Sequence, residues 1–396
     1  NAIKDQPLRV NSVTKKKGTE KPPQLFDLTT LQVECNKKFS FTAEQTLNII
    51  QSLYEKKFTT YPRVDTQYLT DDIYKKCPQT LNGLYQIKFS GIAPYADIIR
   101  TIGGKPLRKD KKVFDNSKVT DHHAIIPTGV IPQGLSDIER KVFDLIARRF
   151  IAVFYDDCKF ETTTVMAEVT PAAANDGTPS DPVLFRTSGK VITDEGWKVV
   201  FKKSPSDEAA QTTTDADAAE EKDSTHSEGL LPVFTKGEQG PHTPSLSEKW
   251  TTPPPYYNEA SLLRAMETAG KFVEDETLRA AMKENGIGRP SSRAGIIETL
   301  FKRHYIRREK KRLVATPTGI ELIDLIREEL LKSCELTGIW EKKLRDIEAK
   351  KYDPQQFINE LKQQVTDIVH DVMSDPTNRR ITIAPPEPEK GKKVKK

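Results

Sequence analysis

The stretch that most limits how this chain can fold is Ser204–Gly229. It carries Asp, Glu, Ala, Ser and Thr and almost no large apolar side chain. Such a stretch cannot bury enough surface to offset the entropy lost on ordering it, so it reads as a disordered acidic surface loop. The folded parts must therefore be built on either side of it. Before it, Thr162–Val169, Val183–Phe185 and Val191–Val200 are rich in β-branched residues and read as strands. After it, beyond Pro253-Pro254-Pro255, helical periodicity returns, with helices over Glu259–Met266 and Arg293–Arg303. A chain of 396 residues has room for about two or three such bodies at ~150 residues each.

The N-terminal half has its own punctuation. Leu8–Val13 alternates like a strand and runs into a basic linker, Lys15–Pro23. A helix over Leu28–Lys38 follows. The next begins at Thr42, which forms a capping-box pattern with Gln45 and carries an apolar stripe of Leu47, Ile50 and Leu53. The short Phe39–Phe41 link gives the pair a helix-turn-helix shape. Ser136 and Glu139 mark another capped helix with Ile138, Val142, Leu145 and Phe150 on its buried face. Near the other end, Tyr305–Val314 reads as a hairpin turning at Glu309–Lys311, and Thr316-Pro317 starts a helix running to about Leu331. Helix, hairpin and helix make a winged-helix-like unit, and Glu389–Lys396 is a basic tail.

Bulk properties narrow the functional classes only a little. The net charge of +5 is too small to argue for nucleic acid by itself. Cys35, Cys77, Cys158 and Cys334 are too scattered for a zinc site or a disulfide framework and fit a reducing, cytoplasmic setting. No apolar run approaches the ~20 residues of a membrane span. The opening on Asn1 and the absence of a secretory leader predict an internal piece of a longer protein.

The richest stretch is Leu53-Tyr-Glu-Lys-Lys-Phe-Thr-Thr-Tyr61-Pro62-Arg63-Val64-Asp65. Pro62 biases Tyr61 away from helix, and in an extended segment residues 61 and 63 project to the same side. A phenol beside a guanidinium suits attack on a phosphodiester, with the cation holding the developing charge. The phosphotyrosine bond would store the broken linkage, so no nucleotide is needed, and no Gly-x-x-x-x-Gly-Lys-Ser/Thr loop is present. Taken alone, a Tyr-x-Arg triplet is an ordinary surface pattern. A Gly-rich turn, Gly286-Ile-Gly-Arg289-Pro-Ser-Ser, opens a helix whose free amides, with Ser291 or Ser292 and the charge of Arg289, suit a backbone phosphate. The cluster Lys302–Arg312 adds basic charge around Tyr305, suited either to a single-strand groove or to a solvated hairpin. Asp215, Asp217 and Glu220 imitate a magnesium cluster, but in a low-complexity loop nothing would fix their carboxylates.

Together these stretches carry a resemblance. Thr59-Thr-Tyr-Pro-Arg-x-Asp65 resembles the active-site signature of type IA DNA topoisomerases of the topoisomerase III kind, with Val64 where a small hydroxyl residue is expected. Thr120-Asp-His122-His123-Ala-Ile-Ile-Pro-Thr128 resembles the family's histidine motif, which implies that His122 touches the scissile phosphate or assists proton transfer. Gly286–Ile297 and Thr337–Glu348 resemble two further blocks, in family order, from about Leu8 to at least Glu348.

The implied fold is α+β and multidomain. Residues 1–27 would give a hinge strand and linker, 28–157 a helix-turn-helix-like domain bearing the tyrosine, and 158–255 a β-rich hinge containing the loop 204–229. Residues 256–380 would form a helical, winged-helix-like single-strand-binding domain, and 381–396 the tail. The resemblance implies catalytic roles for Tyr61, Arg63 and His122, DNA contacts by Arg289, Ser291 and Ser292, and no metal ligand in this chain. It also implies an absent Toprim domain, part of the same parent protein, that holds Mg²⁺. The partner would be single-stranded DNA, without membrane or ATP, and the fragment alone would be inactive. Two rivals remain: a helix-turn-helix or winged-helix DNA-binding regulator, and a tyrosine recombinase, which the order of Tyr61 before His122 and Arg289 disfavours.

Overall fold

The computed structural model describes residues 3–89, 95–103, 106–172, 181–202, 231–283, 286–374 and 381. The acidic stretch 204–229, with Asp215, Asp217 and Glu220, and nearly all of the tail 381–396 lie outside them. The architecture is α+β: one four-stranded sheet, a two-stranded hairpin and many helices.

The sheet has the order β3-β2-β1-β4, with all neighbours antiparallel. Its strands are β1 Leu8–Glu20, β2 Cys158–Val169, β3 Val183–Asp194 and the short β4 Gln239–Gly240. β1 pairs with β2 from Arg9↔Glu168 to Glu20↔Cys158, so Lys15–Glu20, expected as linker, is strand. The correction has a physical reason. This part of β1 exposes polar residues on both faces, so no apolar alternation announces it; the ladder to Thr163–Cys158 holds it instead. The expected strand Val191–Val200 is likewise divided. β3 ends at Asp194, and Gly196–Phe201 forms a 3₁₀ turn. Gly196 sits at φ 49°, and a Cβ there would lie 2.5 Å from the Asp156 carbonyl oxygen.

Between β1 and β2 the chain makes a helical body. Asp27 caps α1 (Leu28–Phe39), and Ser40 at φ 58° turns the chain into α2 (Ala43–Glu55). The Thr42/Gln45 capping box is formed on both sides. α3 (Asp71–Tyr85) and α4 (Tyr95–Ile102) follow, then α5 (Asp137–Ala152) behind its Ser136/Glu139 box. Phe26, Leu28, Leu31, Ile50, Leu53, Phe143 and Phe150 bury fully in one core. The guanidinium of Arg149 lies 4.2 Å from the Phe26 ring centroid.

C-terminal to the sheet come α6 (Glu259–Glu267), α7 (Glu276–Met282) and α8 (Pro290–Lys302). The hairpin β5 (Ile306–Glu309) and β6 (Arg312–Ala315) turns at Lys310, φ 57°. α9 (Pro317–Leu325) stops before the expected Leu331, because Ile326 is extended and a separate short α10 (Glu329–Lys332) follows. α11 (Glu335–Glu348) and α12 (Pro354–Met373) complete the described chain. The two helical bodies meet: Val33 and Ala43 share a small core with Ala260, Leu263, Met266, Ala294 and Ile297.

Candidate active site

α2 ends at Glu55 with Lys56 as its C-cap, and Lys57 takes φ 63° to swing the chain into an extended segment. That segment runs against residues 124–128. Thr128 donates its amide to the Phe58 carbonyl (3.1 Å) and its hydroxyl to the Lys57 carbonyl (2.7 Å), while the Thr60 amide donates to the Ile126 carbonyl (3.0 Å). On its far side, Ile125 donates to the Phe26 carbonyl at 2.8 Å. Two distant pieces, one carrying Tyr61 and the other His122, are thus held edge to edge.

Beyond Thr60 the burial alternates. Pro62, Val64 and Thr66 face inward, whereas Tyr61 is half-buried and Arg63 and Asp65 are exposed. Val64 is 2% exposed and packs in the core, so a hydroxyl at that position would meet apolar neighbours here. Its amide neighbourhood is fixed as well, since Leu28 donates to the Val64 carbonyl at 3.1 Å.

The ring of Tyr61 lies between two others. His122 is 4.4 Å away, centroid to centroid, at 35°, and Tyr54 meets it edge-on at 5.5 Å and 83°. His122 is exposed. Its neighbour His123 is half-buried and held to the Ala124 carbonyl at 2.8 Å, and burial pushes its pKa down. Of the adjacent histidines, therefore, His122 is the one against the phenol. Neither Arg63 nor His122 has a side-chain hydrogen bond or ion pair among the described residues. A phenol, an imidazole and a guanidinium thus stand along one edge with their polar groups uncommitted.

Arg289, Ser291 and Ser292 form a second place, at the start of α8. Gly286 and Gly288 take φ 61° and 69°, and a Cβ on Gly286 would lie 2.2 Å from the Met266 carbonyl oxygen, so the turn demands glycine. Arg289 is the N-cap residue, is exposed and makes no side-chain cap. The Ser292 hydroxyl donates to the Arg289 carbonyl at 3.0 Å. Its one proton is spent there, and the Ser292 and Arg293 amides donate to the same carbonyl at 2.9 and 3.2 Å. This leaves the hydroxyl and amide of Ser291 as donors, since Pro290 has no N–H. Among the described residues no hydrogen bond, ion pair or ring contact joins this place directly to Tyr61. The link is Arg293, 2% exposed, which donates to the Thr29 hydroxyl at 2.8 Å in the first turn of α1. Burial pushes the Arg293 pKa down. Tyr54, Thr60 and Arg293 have structural parts here that the sequence did not assign. Thr60 lies inside the Tyr61 signature and Arg293 inside the Gly286–Ile297 block, so both stood in quoted motifs, without any sign of their partners.

Among the described residues no group of three His, Cys, Asp or Glu side chains is set up to hold a metal ion. The outward edge adds one carboxylate, Asp65, short of the about six oxygen ligands that Mg²⁺ takes. The side chains around Tyr61 do not make a magnesium site by themselves. No helix among the described residues is long and apolar enough to cross a membrane.

Residues 1–359 match the family model described as DNA topoisomerase. A DNA topoisomerase 3 of Bacillus cereus is 36% identical over 378 residues, 92% of this chain and 47% of the relative. That of Bacillus subtilis is 34% identical over 347 residues, 86% of this chain and 44% of the relative. The chain spans about half the length of the relatives it matches. A full-length topoisomerase I structure from Thermotoga maritima superposes with a TM-score of 0.62 at 22% identity, covering 96% of this chain and 54% of that one. This likeness establishes a common fold.

Proposed function

Because this chain belongs to the type IA DNA topoisomerases, we propose that it is the part that cuts, parts and reseals one DNA strand, with Tyr61 as nucleophile. The observation that carries the reading is the packing of the Tyr61 ring against His122, on an edge that also presents Arg63. The Tyr61 oxygen attacks phosphorus in single-stranded DNA and loses its proton. The displaced sugar oxygen takes a proton, and a phosphotyrosine ester holds the broken linkage. Reversal reseals the strand, and because the ester conserves the bond, no ATP is consumed. Arg63 binds the phosphate and its developing charge, and His122 donates a hydrogen bond or passes a proton.

In this reading residues 28–157 bear the tyrosine, and 1–27 with 158–255 form the hinge on which they lift. Residues 256–380 hold single-stranded DNA through Arg289 and the hydroxyl and amide of Ser291, with Ser292 bracing the turn. Mg²⁺, acting on DNA phosphates, belongs with a Toprim domain in the part of the parent protein that this chain does not span. The chain alone is accordingly expected not to relax supercoiled plasmid. The deciding experiment is trapping of covalent DNA–protein adduct with the full-length parent. Tyr61→Phe should form none while binding single-stranded oligonucleotide normally. Adduct formation by that variant would remove Tyr61 from the role.

A further inference from the structure

The pairing between the Tyr61 and His122 segments breaks off in an unusual way. Thr59 opposes Pro127 in an antiparallel bridge, with Thr128 donating to Phe58 and Thr60 donating to Ile126 on either side. One further step of the ladder would need two more bonds. The Ile126 amide would donate to the Thr60 carbonyl, and the amide of residue 62 would donate to the Ala124 carbonyl. Residue 62 is proline and has no N–H. One side chain reaches both partners instead, and the Ala124 carbonyl also accepts from His123 at 2.8 Å. The Thr60 hydroxyl accepts from the Ile126 amide at 3.0 Å and donates to the Ala124 carbonyl at 3.2 Å.

We infer that the Thr60 hydroxyl is a positioning residue for cleavage: it stands in for the two ladder bonds missing beside Pro62, one of them removed by the proline itself, and so sets the distance between Tyr61 and His122. Tyr61 follows Thr60 directly, and His122 lies two residues before Ala124. A continued ladder would bind residues 61 and 62 into the sheet-like ribbon. A break with nothing in its place would leave the Ile126 amide unpaired inside the ribbon and the histidine segment held from its far side alone, by Ile125 on Phe26 and Ala124 on Tyr68. The hydroxyl releases the phenol to face outward while keeping the 124–126 backbone fixed beside it. The adjacent Thr59 supplies an internal contrast. Its hydroxyl is also buried, at 1% exposure, but makes no hydrogen bond among the described residues.

This inference rests on Tyr61 as the nucleophile, and the test separates the two. Single-turnover cleavage of a single-stranded oligonucleotide is measured with the full-length parent, with oligonucleotide affinity measured in parallel. Thr60→Val keeps the shape but orphans the Ile126 amide and leaves the Ala124 carbonyl with His123 as its side-chain donor. A misplacement of the order of 1 Å at a reacting centre costs ~10²-fold, so a fall in cleavage rate of ~10–10²-fold with unchanged affinity is expected. Thr60→Ser should restore most of the rate. Thr59→Val, which removes a hydroxyl without a partner, should cleave at the wild-type rate. Wild-type cleavage by Thr60→Val, or an equal loss in Thr59→Val, overturns the inference. If Thr60→Val fails to fold by circular dichroism, Thr60→Ala and Thr60→Ser decide: a slow alanine and a fast serine variant support it, and equal rates refute it. Tyr61→Phe runs alongside. Adduct from that variant sinks the nucleophile reading, whereas no adduct together with a fast Thr60→Val sinks only this one.

Discussion

Glu139 ties the helix that precedes Tyr61 to the rest of its body, and replacing it with glutamine should show this as a pH-dependent loss of stability. The carboxylate is 7% exposed. One oxygen accepts from the amide and hydroxyl of Ser136, both at 2.9 Å; the other accepts from the Ser52 hydroxyl at 2.8 Å and the Lys56 ammonium at 2.5 Å. Burial by itself would raise the carboxyl's pKa. The Lys56 hydrogen bond, then those from Ser136 and Ser52, outweigh it and hold the group at about 2, against an ordinary 4.5. That difference corresponds to ~3 kcal/mol in favour of the charged form. Because the Lys56 side chain is 41% exposed, solvent screening trims it to ~2 kcal/mol. A folded pKa below the unfolded one means that this stability is present above 4.5 and is lost as pH falls towards about 2. In Glu139→Gln the amide turns its NH₂ towards donors whichever way it is set. Urea unfolding should therefore find the variant ~2 kcal/mol weaker at neutral pH, with about half of that gap gone near pH 3. No gap at neutral pH, or a gap of the same size near pH 3, would refute the reasoning.

Arg63→Ala and His122→Ala in the full-length parent should each slow single-turnover cleavage by about 10²–10³-fold without abolishing it, the usual cost of removing a donor at a reacting phosphate; wild-type rates for both would make them structural. Arg289→Ala should weaken binding to unrelated single-stranded oligonucleotides to a similar degree and lower the salt slope of log affinity by about 1. A loss confined to one sequence would argue against a phosphate contact.

What was legible in the sequence was local. The Thr42/Gln45 and Ser136/Glu139 boxes declare themselves because donor and acceptor lie three residues apart, and both formed. The outward alternation of Tyr61, Arg63 and Asp65 could be read because Pro62 forces an extended backbone. Tertiary partners could not be read. Nothing near Glu139 points to Lys56 or Ser52, and nothing in Thr60 announces Ala124 and Ile126. α3 went unread because Pro78 sits inside it, where pattern reasoning expects a break. The outer half of β1 was hidden because a strand exposed on both faces has no apolar period to find. Arg293 stood in plain view within the Gly286–Ile297 block, but its partner Thr29 belongs to another body of the fold.

The ladder between β1 and β2 has a mechanical consequence. Everything from residue 21 to 157 is an excursion that leaves and re-enters the sheet at one pair, Glu20↔Cys158. Its two tethers therefore emerge side by side, about 5 Å apart. Tension pulling both tethers away from the sheet would load the ladder bonds one after another from that end, like a zip, rather than all at once in shear. The end pair is reinforced against this. Trp197 donates its indole N–H to the Glu20 carbonyl at 2.9 Å, and Lys190 and Lys198 hold the Glu20 carboxylate at 3.3 and 2.9 Å. Tension on the excursion is thus met first at one riveted pair, beside which Val200 of the turn after β3 is buried in the core of the helical body.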